Sequence, residues 1–207
     1  MSAVFAARGE CAHGETSFRE KRGGGTTRKQ QLTGEKMFET GEKIVYGVNG
    51  VCTVTGTCVS PFGGGDLRVY YTLQPLDDNA SVIYTPAEGG RVVMRPLVSP
   101  AEAEEILAGA ATYGELSVHS EKQRRDIYRA ALASTDPREY VRIIRTVEHR
   151  KAIALRTHRH IAITDTEFER GARYCLFNEF AIVLGKTYAE IESAFKTALE
   201  SAQPVKE

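Results

Sequence analysis

The side chains best suited to chemistry in this sequence are arginines, and the chemistry they suit is the binding of phosphate. Arg138, Arg142, Arg145 and His149 recur at i, i+4, i+7 and i+11, which places all four in one narrow helical stripe. Tyr140, Val141, Ile143, Ile144 and Val147 fall on the opposite side. Upstream, Lys122, Arg125 and Arg129 align in the same way, opposite Ile127, Tyr128, Ala131 and Leu132. Basic rows on amphipathic helices are ordinarily solvated faces. Three arginines on one stripe with no interleaved acid nevertheless fit a phosphate backbone, because a guanidinium offers several donors in one rigid plane.

Other chemistry finds less support. His158-Arg159-His160 has two histidines with no carboxylate or cysteine nearby in sequence, a poor metal site that reads as a solvated basic loop. Gly63-Gly64-Gly65 lacks the Lys-Ser/Thr of a phosphate loop, and neither a GxSxG elbow, an HExxH helix nor a GxGxxG turn after a strand occurs. Cys11, Cys52, Cys58 and Cys175 form no CxxC pair and no disulfide framework; the last three read as reduced and in or near cores. The expectation is a protein that is not an enzyme and needs no cofactor or metal.

Net charge is zero over 207 residues, but the average conceals a division. Residues 37–116 hold four Lys and Arg against ten Asp and Glu, whereas residues 117–160 hold eleven against five, together with His119, His149, His158 and His160. The first segment repels polyanions and the second attracts them. No stretch is long and apolar enough to span a bilayer, and the start lacks the order of a secretory signal, so a cytoplasmic location is expected.

The elements that must carry these residues are punctuated clearly. Residues 1–36 have scattered apolar positions without period and read as a disordered extension, with Met37 as a possible natural start. From Lys43 to Arg95 the signals are β: Ile44–Val48, a tight two-residue turn at Asn49-Gly50, then 51–60, 67–73, 81–85 and 91–95. Several short strands in so few residues suggest a strongly bent antiparallel sheet or an incomplete barrel, with edges open to a partner's strand. Five helices follow. Ser99-Pro100, Ser120, Asp136-Pro137, Thr164 and Thr187 are read as their starts, and Gly109 and Gly185 as stops of the first and fourth.

Phe38-Glu39-Thr40-Gly41-Glu42-Lys43-Ile44-Val45-Tyr46-Gly47-Val48-Asn49-Gly50 resembles the opening of CarD-like transcription regulators, typically F-x-x-G-D-x-V-V-Y-x-x-x-G. In order, Val82–Pro86 resembles the family strand ending in V-P or I-P, and Met94–Ser99 its L-R-x-V-I-S hinge. Arg124-Arg125 with Leu132–Asp136 is similar to the family's R-R or R-Y followed by L-x-S-G-D, and Ala181–Gly185 with Ile191-Glu192 to its C-terminal helices. The resemblance spans roughly residues 37–199. It implies a bacterial protein with a Tudor-like β-domain that adds its sheet edge to the RNA polymerase β subunit. A helical domain would then contact promoter DNA at the upstream edge of the melted bubble and stabilise the open complex. By position, Thr72, Tyr84 and Pro86 would lie in the polymerase-binding strands and Arg124 and Arg125 at the DNA. Two departures stand out: the chain has no tryptophan, where many members wedge one against the minor groove, and residues 151–163 form an altered basic run.

The combined expectation is an α+β chain: a disordered extension (1–36), a small Tudor-like antiparallel β-barrel that binds polymerase (37–98), and an all-α DNA-facing domain (99–202). It is expected to act as a monomeric transcription regulator bridging the polymerase β subunit and promoter DNA, with no membrane partner. Lys122, Arg124, Arg125, Arg129, Arg138, Arg142 and Arg145 are the expected DNA contacts. The competing expectation is a protein-interaction adaptor whose basic helices are merely solvated.

Overall fold

A computed structural model describes residues 38–62, 67–78, 80–118 and 120–201. The 1–36 extension, Cys11, the Gly63–Gly65 run and His119 lie outside the described residues.

The β-branched and aromatic runs form five strands: β1 (Lys43–Tyr46), β2 (Val51–Ser60), β3 (Arg68–Pro75), β4 (Ile83–Pro86) and β5 (Met94–Pro96). They build one antiparallel sheet in the order β4-β3-β2-β1-β5, with an irregularity between Val54 and Gly56 of β2. Ile44, Tyr46, Cys52, Val54, Tyr71 and Leu73 form its core on one face. The order has two ends, since β4 pairs only with β3 and β5 only with β1, so the five strands form an open antiparallel sheet, as the bent-sheet reading of the strand run allows.

The first hairpin differs from expectation for a local reason. Tyr46 N–H donates to Gly50 O at 2.9 Å, enclosing a three-residue 3-10 turn, Gly47–Asn49, in place of a two-residue turn at Asn49-Gly50. Gly47 and Gly50 both take positive φ, and the Gly47 N–H is claimed by Val93 O at 3.0 Å as the chain arrives at β5. Gly50 is also required by packing: a Cβ there would meet the Tyr174 ring at 3.1 Å.

The helices are α1 (Pro100–Ala108), α2 (Glu121–Ala133), α3 (Pro137–Arg156), α4 (Ile163–Leu184) and α5 (Tyr188–Ser201). Ser99, Ser120 and Asp136 each accept a backbone N–H of the first turn, and Thr187 and Glu190 exchange bonds as a capping box. The start of α4 is the exception. Its N-cap is Ala162, without a side-chain bond, because Thr164 and Asp165 lie inside the helix and turn toward α2 and α3. Tyr140, Val141, Ile143, Ile144 and Val147 of α3 pack with Tyr128, Leu176, Phe177 and Phe180 in a second core.

Candidate functional site

Two surfaces collect the residues singled out above, one on the sheet and one on the helices. On the sheet, Thr72 lies directly opposite Tyr84, and Pro86 opposite Tyr70. Directly opposed residues and residues two apart share a face, so Thr72, Tyr84 and Pro86 come together on the side away from the Leu73–Ile83 pair. Phe62 caps this cluster, its ring centroid 5.0 Å from Tyr70 and 5.2 Å from Tyr84. Phe62 and Tyr70 were not anticipated, because cross-strand register decides which aromatics meet.

The edge geometry is equally specific. Ala87 N–H donates to Val69 O at 2.9 Å, and ladder alternation then directs the main chain of Thr85 and Ile83 toward β3 and that of Tyr84 and Pro86 outward. Proline suits such a position, where its missing N–H costs no ladder bond. The opposite outer strand, β5, is tied to the helices through a side chain. Arg95 of β5 sends Nη1 to Glu179 Oε1 at 2.6 Å and Nη2 to Oε2 at 2.8 Å, while its Nε donates to Thr135 O at 2.8 Å. Glu179 is fully buried and also accepts Val98 N–H at 3.0 Å. This two-pronged ion pair, with Cys175 Sγ 3.7 Å from Val48 O, joins the sheet to α4. Burial pushes the Cys175 thiol up to about 12 and the Cys52 thiol to about 11, which marks them as packing groups rather than nucleophiles. Cys58 is half-buried.

On the helices, the expected DNA contacts divide. Lys122, Arg125 and Arg129 of α2 are exposed; Arg129 pairs along the helix with Asp126, and Arg125 reaches Thr164 Oγ1 at 3.3 Å. Arg124 is a correction. It is only 8% exposed, and its Nη1 holds Asp165 Oδ2 at 2.8 Å. Asp165 also receives Arg150 Nε at 3.0 Å and Tyr128 Oη at 3.2 Å. Burial, then the adjoining Asp165 charge, raises the Tyr128 hydroxyl above its usual range, so it stays a donor to this carboxylate. Arg124 therefore ties α2 to α4, and neither its neighbour in sequence nor its type reveals that.

The α3 stripe is half-buried and largely paired. Arg138 Nη1 meets Glu102 Oε1 of α1 at 2.9 Å; Arg142 meets Glu139 at 2.8 Å and Gly114 O at 3.2 Å. His149 Nδ1 lies 2.7 Å from Glu115. The stripe thus faces α1 and the α1–α2 connection, and the expectation of an acid-free row fails because carboxylates arrive from elsewhere in the chain as well as from Glu139. Arg145 lines a cleft of about 1060 Å³ between α3, α4 and α5. Its wall carries a balanced network in which buried Glu169 sits between Lys151 at 2.6 Å and Arg173 at 3.0 Å, and Glu148 pairs with both cations. Among the described residues no cluster of three metal-ligating side chains occurs.

Residues 38–98 match the family model described as the CarD-like/TRCF RID domain. The matched region covers the whole sheet and ends at Val98, one residue before the cap of α1. The match suggests interaction with RNA polymerase. No curated protein matches the chain, and no described helix is long and apolar enough to cross a membrane.

Proposed function

We propose, from the premise that residues 38–98 are a CarD-like/TRCF RID domain, that the chain is a non-enzymatic transcription regulator docking on RNA polymerase through the β4 edge. The observation that carries this reading is the outer position of β4 in the matched sheet: it pairs only with β3 and turns the main chain of Tyr84 and Pro86 outward, while Arg95 of the other outer strand, β5, is committed to Glu179 of α4. An outer strand of this kind supports addition of a partner strand, with the Thr72–Tyr84–Phe62 surface reading its side chains. The β subunit is the proposed partner. The helical layer, joined to the sheet through Arg95 and Glu179, would then lie against promoter DNA with the exposed cations of α2 toward phosphate, modulating the open complex. The protein would act as a monomer in the bacterial cytoplasm.

Capture of the isolated polymerase β lobe by the full chain tests the docking. Tyr84→Ala and Pro86→Ala are expected to weaken it while leaving the melting temperature close to wild type, and undiminished capture by both variants would reject the β4 edge. The pairing of Arg138 and Arg142 and the burial of Arg124 favour a second reading, an adaptor that binds polymerase without DNA. Duplex binding measured at several salt concentrations separates the two.

A further inference from the structure

The end of the helical layer formed by the α3–α4 turn has properties that the paired stripe on α3 lacks. From His149 to Thr164 the chain carries four Lys and Arg and no carboxylate. Arg150 and Lys151 are spent on Asp165 and on Glu148 and Glu169. Arg156 and Arg159 are exposed, and no ion pair joins either to another described residue. The turn that carries them is ordered: Arg159 N–H donates to Ala154 O at 2.8 Å, Thr157 N–H to Ile153 O at 3.0 Å, and His158 takes φ 52 to close the helix. Beside them stand Leu155 at 80% and Ile163 at 76% exposure, the two most exposed large apolar side chains among the described residues, with Ile153 at 47%. Leaving such groups in water is unfavourable, and their grouping at one end of the layer marks a contact surface.

This surface continues onto α2. Arg125 reaches Thr164 Oγ1, and Arg124 shares Asp165 with Arg150, so the start of α2, the end of α3 and the start of α4 converge. Lys122 and Arg125 are exposed there as well; of the carboxylates beside them, Glu121 is held toward Arg124 and Thr164 and Asp126 pairs with Arg129. We infer that the α3–α4 turn is a nucleic-acid-binding element in which Arg156 and Arg159, with Lys122 and Arg125, hold the phosphates of duplex DNA while Leu155 and Ile163 pack against the sugars and base edges of a groove. Guanidiniums with no carboxylate partner among the described residues suit phosphate oxygens, and aliphatic side chains are the type that enters a groove. An anionic membrane would also attract arginine, but Leu155 at the end of α3 and Ile163 at the start of α4 do not make the helix-length apolar face that holds a segment in a bilayer surface. The assignment rests on the DNA reading above and moves its centre from the α3 stripe to the end of the layer.

The test titrates a fluorescent duplex of mixed sequence with the full chain over a series of salt concentrations. Arg156→Ala with Arg159→Ala is expected to weaken binding several-fold and to flatten the plot of log affinity against log salt by about two, since each phosphate contact contributes about 0.9. Leu155→Ser with Ile163→Ser is expected to weaken binding at every salt concentration with the slope unchanged. Both pairs are exposed, so melting temperatures should stay near wild type. Wild-type affinity and slope in both turn variants, with loss in Lys122→Ala/Arg125→Ala, would overturn the turn and leave the DNA reading standing. A wild-type chain that binds no duplex overturns both, as does one that binds phosphatidylserine vesicles instead.

Discussion

Two helices of this protein carry a stripe of basic residues, and the fold treats the two stripes in opposite ways. On α3, Arg138 and Arg142 look inward to α1 and its connection and meet Glu102, Glu139 and the Gly114 carbonyl. On α2, Lys122, Arg125 and Arg129 face solvent, with only Asp126 opposite Arg129 as an ion-pair partner among the described residues. Arg124, one residue from Arg125, is buried on Asp165. A helical period therefore states which residues share a face and says nothing of what that face meets. The difference lies in neighbours: the α3 stripe meets α1 and the α1–α2 connection, whereas the cations of α2 lie on its exposed side. Arginine on the first helix organises the layer, and arginine on the second is left for a partner.

Substitutions at the buried end of that comparison should have the largest effect. Asp165→Ala leaves the Arg124 guanidinium buried without its carboxylate, and such a loss costs about 3–5 kcal/mol, seen as a steep fall in melting temperature. A loss below about 1 kcal/mol, the range of exposed pairs, would show that Arg124 escapes to solvent and that the two helices differ less than their geometry indicates. Arg95→Ala should follow at about 3 kcal/mol, the lower end of that range, because Arg95 keeps a fifth of its surface exposed while Glu179 is left fully buried. Arg95→Lys, retaining the charge but not the two-pronged geometry, should fall between. An unchanged melting curve for both would break the joint.

Nucleic-acid binding sharpens the comparison directly. Lys122→Ala with Arg125→Ala should flatten the salt dependence of duplex binding by about two, whereas Arg138→Ala with Arg142→Ala should leave the slope at its wild-type value. The reverse result would exchange the roles of the two helices. The smallest effect is on stability at the paired stripe. Arg142→Ala removes an i,i+3 pair whose members are about a third exposed, so unfolding by denaturant should shift by less than about 1 kcal/mol.

Much of the local structure was legible in the chain. Ser99, Ser120, Asp136 and Thr187 cap helices where their side chains imply, since a cap is a contact over two or three residues and needs nothing distant. Thr164 misled for an equally physical reason: Asp165 beside it is claimed by Arg124 and Arg150, and the cap falls two residues earlier, at Ala162, without a side-chain bond. The two-residue turn at Asn49-Gly50 gave way to a 3-10 turn once Gly47 had to meet Val93.

The amino-acid order alone determined the α+β succession, the acidic-then-basic division of charge and the grouping of apolar residues on one side of α2 and α3, because each follows from composition or from the period of a single element. Only the tertiary structure decided that β4 and β5 are the outer strands of the sheet, that Arg124 is internal while Arg125 is not, and that Arg138 and Arg142 have carboxylates beside them. Those outcomes depend on which groups distant in sequence come within about 3 Å, the reach of a hydrogen bond, and periodicity along one helix or strand holds no such information.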